Sequence, residues 1–243
     1  FEKHEINKLE DLIYKTYYRD GLFSNYKSNI NKILTFSREN IANNFLNEIK
    51  KKFFFKKKLR SINFIRQKKN YKKIPKIVHL ITGLERGGAE RFLFNLISNG
   101  LKGQFNNSVI SLMSEGYYGN LLKRKKVPVF SLNMKRGRIN FWALRNLRKI
   151  LISEKPDIIQ GWMYHGNLAA LLGCIMVNKK TKLSWTIRLS LEIYKRMKLT
   201  TRLAIKLGSY LSRIPDLIIY NSNRSLIQHR SMGYDKENDF SIP

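Results

Sequence analysis

Short apolar runs alternate with amphipathic segments along the chain from Lys76 onward. Runs of four or five residues rich in Val, Ile and Leu are typical of buried strands, whereas apolar residues spaced three and four apart are typical of helices. Regular alternation of the two patterns predicts an α/β fold, with a Rossmann-like parallel sheet and helices on both faces. The predicted strands are 77–81, 108–112, 128–131, 157–160, 183–186 and 217–220, and the predicted helices are 89–101, 118–125, 141–153, 165–177, 192–212 and 223–232.

The alternation begins only after Pro75. Residues 1–75 contain 19 Lys or Arg and 7 Asp or Glu, few glycines, and helical periodicity only in patches. We therefore expect two parts: 1–75 as a basic, mostly helical or partly disordered extension, and 76–243 as the Rossmann-like domain.

A strongly basic segment lies within the extension. Residues 50–73 carry 12 basic residues and no acidic one, beside the aromatic run Phe53–Phe55, and the whole chain has a net charge of +30. Three interpretations stay open: a solvated charged segment, docking on an anionic membrane surface, and nucleic-acid binding. Nucleic acid is the least favoured of these, because no recognised binding module accompanies the segment.

Cysteine and histidine usage limits the chemistry that we expect. Cys174 is the single cysteine, so no disulfide can form within the chain, and a reducing cytoplasm is favoured. The longest apolar stretch, 168–177, is about half the length that a membrane span needs. Four scattered histidines and no paired cysteines predict neither a metal site nor a metal cofactor.

A glycine loop follows the first predicted strand. Gly83, Gly87 and Gly88 precede a helix, and such a loop allows an anion to approach the backbone closely at the helix start. A P-loop would continue with lysine and a hydroxyl, but alanine and Glu90 follow, which argues against NTP hydrolysis. The dinucleotide fingerprint would need glycine at Glu85 and also fails. The loop therefore suits a phosphate or a sugar, with Glu90 either joining the site or stabilising the helix start.

Polar residues also follow three later strands, where ligands bind in parallel sheets. His165 and the neighbouring Asn167 follow the fourth strand, and His165 could orient a hydroxyl, share a proton, or bond to backbone at a helix start. Arg188 follows the fifth strand and suits a phosphate or carboxylate. Ser222 follows the sixth strand, where it could contact a ligand or cap the next helix.

Four segments occur in an order that resembles the N-terminal domain of glycosyltransferase family 4. They read GLERGGAER, SEGYYGNLLKRKKVPVFSL, KPDIIQGWMYHGNLAA and PDLIIYNSNRSLIQHRSMGY, and the resemblance covers 76–243. It implies half of a GT-B fold, in which two Rossmann-like domains face each other, and a retaining, metal-independent sugar transfer from a nucleotide-sugar donor. By this resemblance Gly87 and Gly88 match the loop near the donor phosphates, His165 matches a histidine in the cleft, and Arg188 faces the same cleft.

The resemblance also implies a role and a location. Because the family's second, donor-binding domain is not matched, we expect the acceptor-binding half of a transferase, inactive by itself. The expected partners are a nucleotide sugar, a glycan or lipid-linked acceptor of cell-surface polysaccharide or lipopolysaccharide synthesis, and an anionic membrane surface at the cytoplasmic side. Two alternatives stay open: a non-catalytic module that binds membrane or nucleic acid, and another Rossmann-like nucleotide-sugar enzyme.

Overall fold

The computed structural model describes residues 74–101, 103–135, 140–177 and 180–242. These residues form a seven-stranded, all-parallel sheet in the order β3-β2-β1-β4-β5-β6-β7. Its strands are β1 (Lys76–Ile81), β2 (Asn106–Ser111), β3 (Val129–Ser131), β4 (Ile158–Trp162), β5 (Lys182–Ile187), β6 (Leu217–Tyr220) and β7 (Asp239–Ser241).

Helices connect the strands and cover both faces of the sheet. Chain order runs outward from β1 to β3, returns to β4 on the other side of β1, and then runs outward to β7. Because parallel crossovers are right-handed, this reversal places the first two helices on one face and the later four on the other. The helices are α1 (Gly88–Asn95, continued by a π-helical turn Leu96–Gly100), α2 (Gly116–Arg124), α3 (Phe141–Glu154), α4 (Met163–Met176), α5 (Leu199–Leu211, preceded by a 3₁₀ turn Tyr194–Arg196) and α6 (Asn223–Ser231).

The central strands are buried on both faces, which explains why the sequence pattern marked them clearly. All but the first residue of β1 and of β5 is buried, as are all residues of β4 and β6. Continuous apolar strands of this kind are expected where helices cover both sides of a parallel sheet. Within the described ranges, no helix is both long and apolar enough to cross a membrane.

The predicted α/β fold is confirmed, with two local differences. The predicted helix 192–212 is interrupted, because Lys198 adopts an extended backbone (ψ 144°) between the 3₁₀ turn and α5. Strand β7 was missed; its three residues are only half-buried, and the half-buried Asp239 and Ser241 flank Phe240. The extension 1–75 lies almost entirely outside the described residues, so the proposed boundary stays a prediction.

Candidate functional site

The carboxyl ends of β1 and β4 lie side by side and form the floor of the candidate site. Ile81 at the end of β1 pairs with Trp162 at the end of β4. The order in which strands are added reverses between these two parallel strands, since the chain moves outward from β1 to β2 on one side and from β4 to β5 on the other. Ligands in open parallel sheets bind at such a switch point. The glycine loop and His165 follow the two strands, so the prediction that they share one sheet edge is confirmed.

His165 is placed by two tight features at the start of α4. Met163 adopts a left-handed backbone (φ 61°), which turns the chain sharply from strand into helix. Gly166 then touches β1 so closely that a Cβ on it would lie 2.7 Å from the carbonyl oxygen of Leu80. His165 therefore lies at the start of α4, next to the point where this helix contacts β1, and its side chain is half-buried and engaged with the surrounding protein.

Asn167 is used by the fold at the same helix start. Its side chain is 2% exposed. Its Oδ1 accepts a hydrogen bond from the backbone N–H of Thr186 in β5 at 3.3 Å, and its backbone packs directly on Gly161 of β4. These contacts join α4 to two strands, and ligand contact by Asn167 stays a prediction.

The glycine loop is anchored to the first turn of α2. The N–H of Tyr118 donates to the carbonyl of Leu84 at 2.8 Å. Gly116, with φ 57°, packs against the same carbonyl group, where a Cβ would lie 2.5 Å from the carbonyl carbon of Leu84. Gly87 and Gly88 remain exposed beyond this anchor, and the space around the Cα of Gly88 is open.

Helix α1 begins at Gly88 without a side-chain cap. The first hydrogen bond to the loop is from Arg91 N–H to Gly87 carbonyl at 3.0 Å, so the N–H groups of the first turn lack helical partners. The carboxylate of Glu90 lies against Gly87 and already places negative charge at this helix start. An anionic ligand at this position would share the helix start with that carboxylate or displace it.

Arg188 projects from the end of β5 onto the helix that follows the glycine loop. Its guanidinium carbon lies 3.5 Å from the ring centroid of Phe92 in α1. No described carboxylate forms an ion pair with it. Burial lowers the pKa of Arg188 below its usual value, to about 10. The Arg188 backbone N–H donates to Met163 Sδ at 3.4 Å, which ties the β5 end to the β4 turn.

A buried hydrogen bond between Trp162 and His79 joins β4 to β1 under the candidate site. Trp162 Nε1–H donates to His79 Nδ1 at 3.2 Å, and His79 Nε2 lies 3.1 Å from Asn107 Oδ1. The ring of Trp162 also lies 6.0 Å from that of Phe92. Burial lowers the pKa of His79 to about 4, so the imidazole is neutral at pH 7, donates from Nε2 and accepts at Nδ1. Sequence reasoning missed this pair because its members are 83 residues apart.

Helix α6 holds the loop that carries Arg188. Ser225 Oγ donates to the carbonyl of Leu189 at 2.8 Å, and Gln228 Oε1 accepts from the N–H of Leu191 at 2.7 Å. Ser222 accepts from the N–H of Ser225 at 3.1 Å, so it caps α6, which is the alternative that the sequence left open. Its role as a ligand contact stays a prediction.

A second buried histidine was also missed by the sequence analysis. His229 Nε2 lies 2.9 Å from the hydroxyl of Tyr164, and its Nδ1 lies 2.7 Å from the carbonyl of Ser225. Burial lowers the pKa of His229 to about 4, so its Nδ1–H donates to the carbonyl and Nε2 accepts from the tyrosine. The pair fixes α6 against the start of α4.

Four of the predicted site residues thus lie at one edge of the sheet. Two others, Asn167 and Ser222, form hydrogen bonds within the fold. Gly87, Gly88, His165 and Arg188 lie around the ends of β1, β4 and β5. The described residues contain no group of three or more His, Cys, Asp or Glu side chains that could hold a metal ion. The arrangement offers backbone N–H groups, a cation and an imidazole, which suit a phosphate and a hydroxyl.

Comparison with solved structures gives the fold. HepE from Anabaena, solved in complex with UDP and glucose, is similar with a TM-score of 0.53 and 18% identity, over 69% of this chain and 44% of that one. MurG from Acinetobacter baumannii has a TM-score of 0.44 and 15% identity, over 69% and 46% of the two chains. A putative UDP-N-acetylglucosamine 2-epimerase from Listeria monocytogenes has 0.47 and 13%, over 68% and 44%. The chain therefore spans less than half the length of these proteins, and no curated protein matches it.

The family is shown by a match of a different kind. The model of Glycosyltransferase Family 4 matches residues 86–242, which is more than half of the chain and includes Gly87, Gly88, His165 and Arg188. The chain belongs to Glycosyltransferase Family 4.

Proposed function

We propose that this chain is the acceptor-binding half of a retaining glycosyltransferase. The enzyme would move a sugar from a nucleotide-sugar donor to a glycan or lipid-linked acceptor in cell-surface polysaccharide synthesis. The observation that carries the proposal is that the glycine loop, His165 and Arg188 follow the adjacent carboxyl ends of β1, β4 and β5, in a domain of Glycosyltransferase Family 4. HepE, which shares the fold, was solved with UDP and glucose, and this supports a nucleotide-sugar donor for the present chain.

Arg188 is assigned to an anionic group of donor or acceptor. A partly buried guanidinium loses hydration, and here an aromatic face rather than a described carboxylate compensates for that loss. A phosphate would supply the missing charge and accept two parallel hydrogen bonds from the guanidinium. The contact with Phe92 fixes the plane of the guanidinium before the ligand arrives, so little side-chain freedom is lost on binding.

The glycine loop is assigned to close approach of the same ligand. Gly88 has open space where a side chain would stand, and the first N–H groups of α1 point out of an uncapped helix start. A phosphate there would gain backbone hydrogen bonds and the favourable end of the helix dipole. The half-buried Glu90 would then have to turn away from Gly87.

His165 is assigned to the hydroxyl that accepts the sugar. An imidazole can orient an acceptor hydroxyl and take up its proton as the new bond forms. The contact of the neighbouring Gly166 with β1 fixes the backbone of this helix start at the sheet edge where the acceptor would lie. The residues assigned so far require no metal, and the reaction is proposed to proceed without one.

The setting of the reaction follows from charge. A net charge of +30 and the basic segment 50–73 favour a peripheral position on an anionic membrane, at the cytoplasmic face. A lipid-linked acceptor would be found on that surface.

Sugar transfer by the protein that carries this chain tests the proposal. Labelled nucleotide sugars of several bases are offered with glycan and lipid-extract acceptors, and we expect transfer from at least one donor. His165→Ala should lower turnover by about 10²–10⁴-fold if the imidazole assists proton movement. Leu172→Ala, an exposed position on the same helix away from the strand end, serves as the matched control and should keep the parent rate.

Two results would contradict the proposal. Absence of transfer from every donor by folded protein would favour the non-catalytic module instead. Parent-like turnover in folded His165→Ala would assign that histidine to the fold alone.

A further inference from the structure

Helix α5 turns a stripe of large apolar side chains toward solvent. Successive helical residues are about 100° apart, so positions 199, 203, 207 and 210 fall within an arc of about 80°. Helices on a sheet normally turn such a stripe inward. Here the inward side is already occupied by Ala204, Ile205 and Gly208, so α5 has a second apolar stripe. The exposed members are Leu199 (67% exposed), Leu203 (58%), Leu207 (48%) and Tyr210 (72%).

Positive charge lies directly beside the stripe. Lys198, Arg202 and Lys206 occupy the neighbouring arc of about 80°, and α5 contains no acidic residue. Arg213 follows just beyond the helix end. None of these four forms an ion pair with a described carboxylate. The two halves together, positions 199, 203, 207 and 210 with positions 198, 202, 206 and 213, are called the α5 surface below.

A pocket opens on the basic side of the α5 surface. It has a volume of about 580 Å³, and Lys206, Ser209, Tyr210 and Arg213 contribute to its wall. Two cations, a serine and a tyrosine make a polar wall that suits a phosphate group. Because Tyr210 belongs to both the stripe and the pocket, the apolar and the phosphate-binding features are continuous.

We propose that the α5 surface docks on an anionic phospholipid bilayer. The apolar stripe enters the boundary between headgroups and acyl chains, and the pocket between Lys206 and Arg213 receives a headgroup phosphate. Helices that lie in a membrane interface have apolar residues on one side and Lys or Arg on the neighbouring side. The inference concerns this surface alone and holds whether or not the chain transfers a sugar.

A bilayer fits the α5 surface better than a protein does. Stable protein interfaces use about 20–30 residues a side, and charged residues are depleted at their centres. The α5 stripe consists of four side chains along one helix, with a row of cations beside it. An anionic bilayer needs no wider patch, and its charge complements the net charge of +30.

Docking through α5 would also orient the candidate site. The segment 188–198 joins the end of β5 to the start of α5, so the site and the stripe are linked by a short connection. Leu199, the first residue of the stripe, lies at the end of that connection. If the proposed function holds, a bilayer bound at α5 would bring a lipid-linked acceptor toward Arg188.

Vesicle partitioning of the 243-residue chain tests the inference. Vesicles of phosphatidylglycerol and phosphatidylcholine are used at about 0.5 M salt, where long-range attraction by other basic residues is screened. The double variant Leu203→Ser/Leu207→Ser should partition about tenfold or more weakly than the parent, because two apolar contacts with the interface are lost. The matched control Ile152→Ser/Ile227→Ser removes two apolar side chains that are 47% and 64% exposed on other helices, and it should partition like the parent.

A second measurement reports insertion directly. Leu207→Trp places a fluorophore in the stripe, and Ile152→Trp places one elsewhere. Lipids with brominated chains should quench the added emission of Leu207→Trp and leave that of Ile152→Trp unchanged. This readout keeps the inference testable if the serine variants are less stable than the parent.

Three results would overturn the inference. Equal partitioning of the two double variants would remove the stripe from membrane binding, and unquenched Leu207→Trp would do the same. Loss of self-association in Leu203→Ser/Leu207→Ser, with vesicle binding unchanged, would assign the surface to a second copy of the chain. None of these readouts depends on sugar transfer, so failure here is distinguishable from failure of the proposed function.

Discussion

Replacing Arg188 with methionine should make the domain more stable and less able to bind an anion. Arg188 lies partly buried at the end of β5, over the ring of Phe92 and without a described carboxylate partner. A charge held in this way costs stability until a ligand neutralises it. Methionine fills a similar volume and packs well against an aromatic ring.

The magnitude follows from the pKa and from the stacking contact. A fall of the Arg188 pKa from 12.5 to about 10 corresponds to about 3 kcal/mol of unfavourable free energy while the group is charged. Since the side chain is only partly buried, solvent screens part of this cost, and we take about half to all of it. Loss of the cation–π contact returns about 0.5–2 kcal/mol. The net expectation is stabilisation by about 1 kcal/mol, or a rise in Tm of about 2–4 °C.

The assay is a thermal melt with and without inorganic pyrophosphate. For the parent, pyrophosphate at a hundred times its Kd should add about 2.7 kcal/mol of stability. Arg188→Met should show a higher Tm without the anion and a much smaller anion-induced rise, because a charge-assisted hydrogen bond worth about 1.5–3 kcal/mol is lost. Arg145→Met is the matched control, since Arg145 also faces a ring, that of Trp142 at 5.9 Å, but is exposed on α3. It should melt within about 1 °C of the parent and keep the full anion response.

One result would refute this reasoning. If Arg188→Met melts several degrees below the parent and retains the parent's response to pyrophosphate, the guanidinium contributes to the fold and not to a ligand.

Three further predictions concern the fold and the basic segment. Gly166→Ala should lower the free energy of unfolding by about 1–3 kcal/mol in denaturant, because the new Cβ meets the Leu80 carbonyl. Gly88→Ala, where the added Cβ meets open space, should not lower it. If the two variants are equally stable, α4 can move away from β1. The free energy of unfolding should fall between about pH 6.5 and pH 4, because buried His79 and His229 have pKa values of about 4 and bind protons more readily when unfolded. Replacement of both by Gln should flatten this pH dependence in acid-unfolding curves, and unchanged acid sensitivity would contradict the prediction. The chain should bind anionic vesicles, more weakly as salt rises, and should bind neutral vesicles far more weakly. Substitution of Phe53–Phe55 by Ser should weaken the binding to anionic vesicles. Tighter binding to RNA than to lipid would instead support the nucleic-acid interpretation.

The pattern of apolar and polar residues predicted the architecture because each strand and helix has its own pattern within a short stretch of sequence. The six predicted strands are present, and the glycine loop and His165 were placed at one edge from chain order and the geometry of parallel sheets alone. Strand β7 escaped because Asp239 and Ser241 in an edge strand resemble a loop.

Contacts between distant residues could not be predicted in this way. The bond between Trp162 and His79, and that between Tyr164 and His229, join residues 83 and 65 positions apart. The same holds for Arg188 over Phe92, which lie 96 positions apart in the sequence. Asn167 illustrates the opposite limit, since its place after a strand suggested a ligand, while its bond to β5 shows a use within the fold.

Nuclear magnetic resonance of the labelled chain during titration with UDP tests the central claim most directly. The account holds that the glycine loop, His165 and Arg188 form one site. The backbone N–H signals of Gly87 and Gly88, the Nε–H signal of Arg188 and the ring signals of His165 should therefore shift together, with a single Kd. Shifts that follow different Kd values, or that fall elsewhere in the domain and leave these groups unchanged, would contradict a shared site.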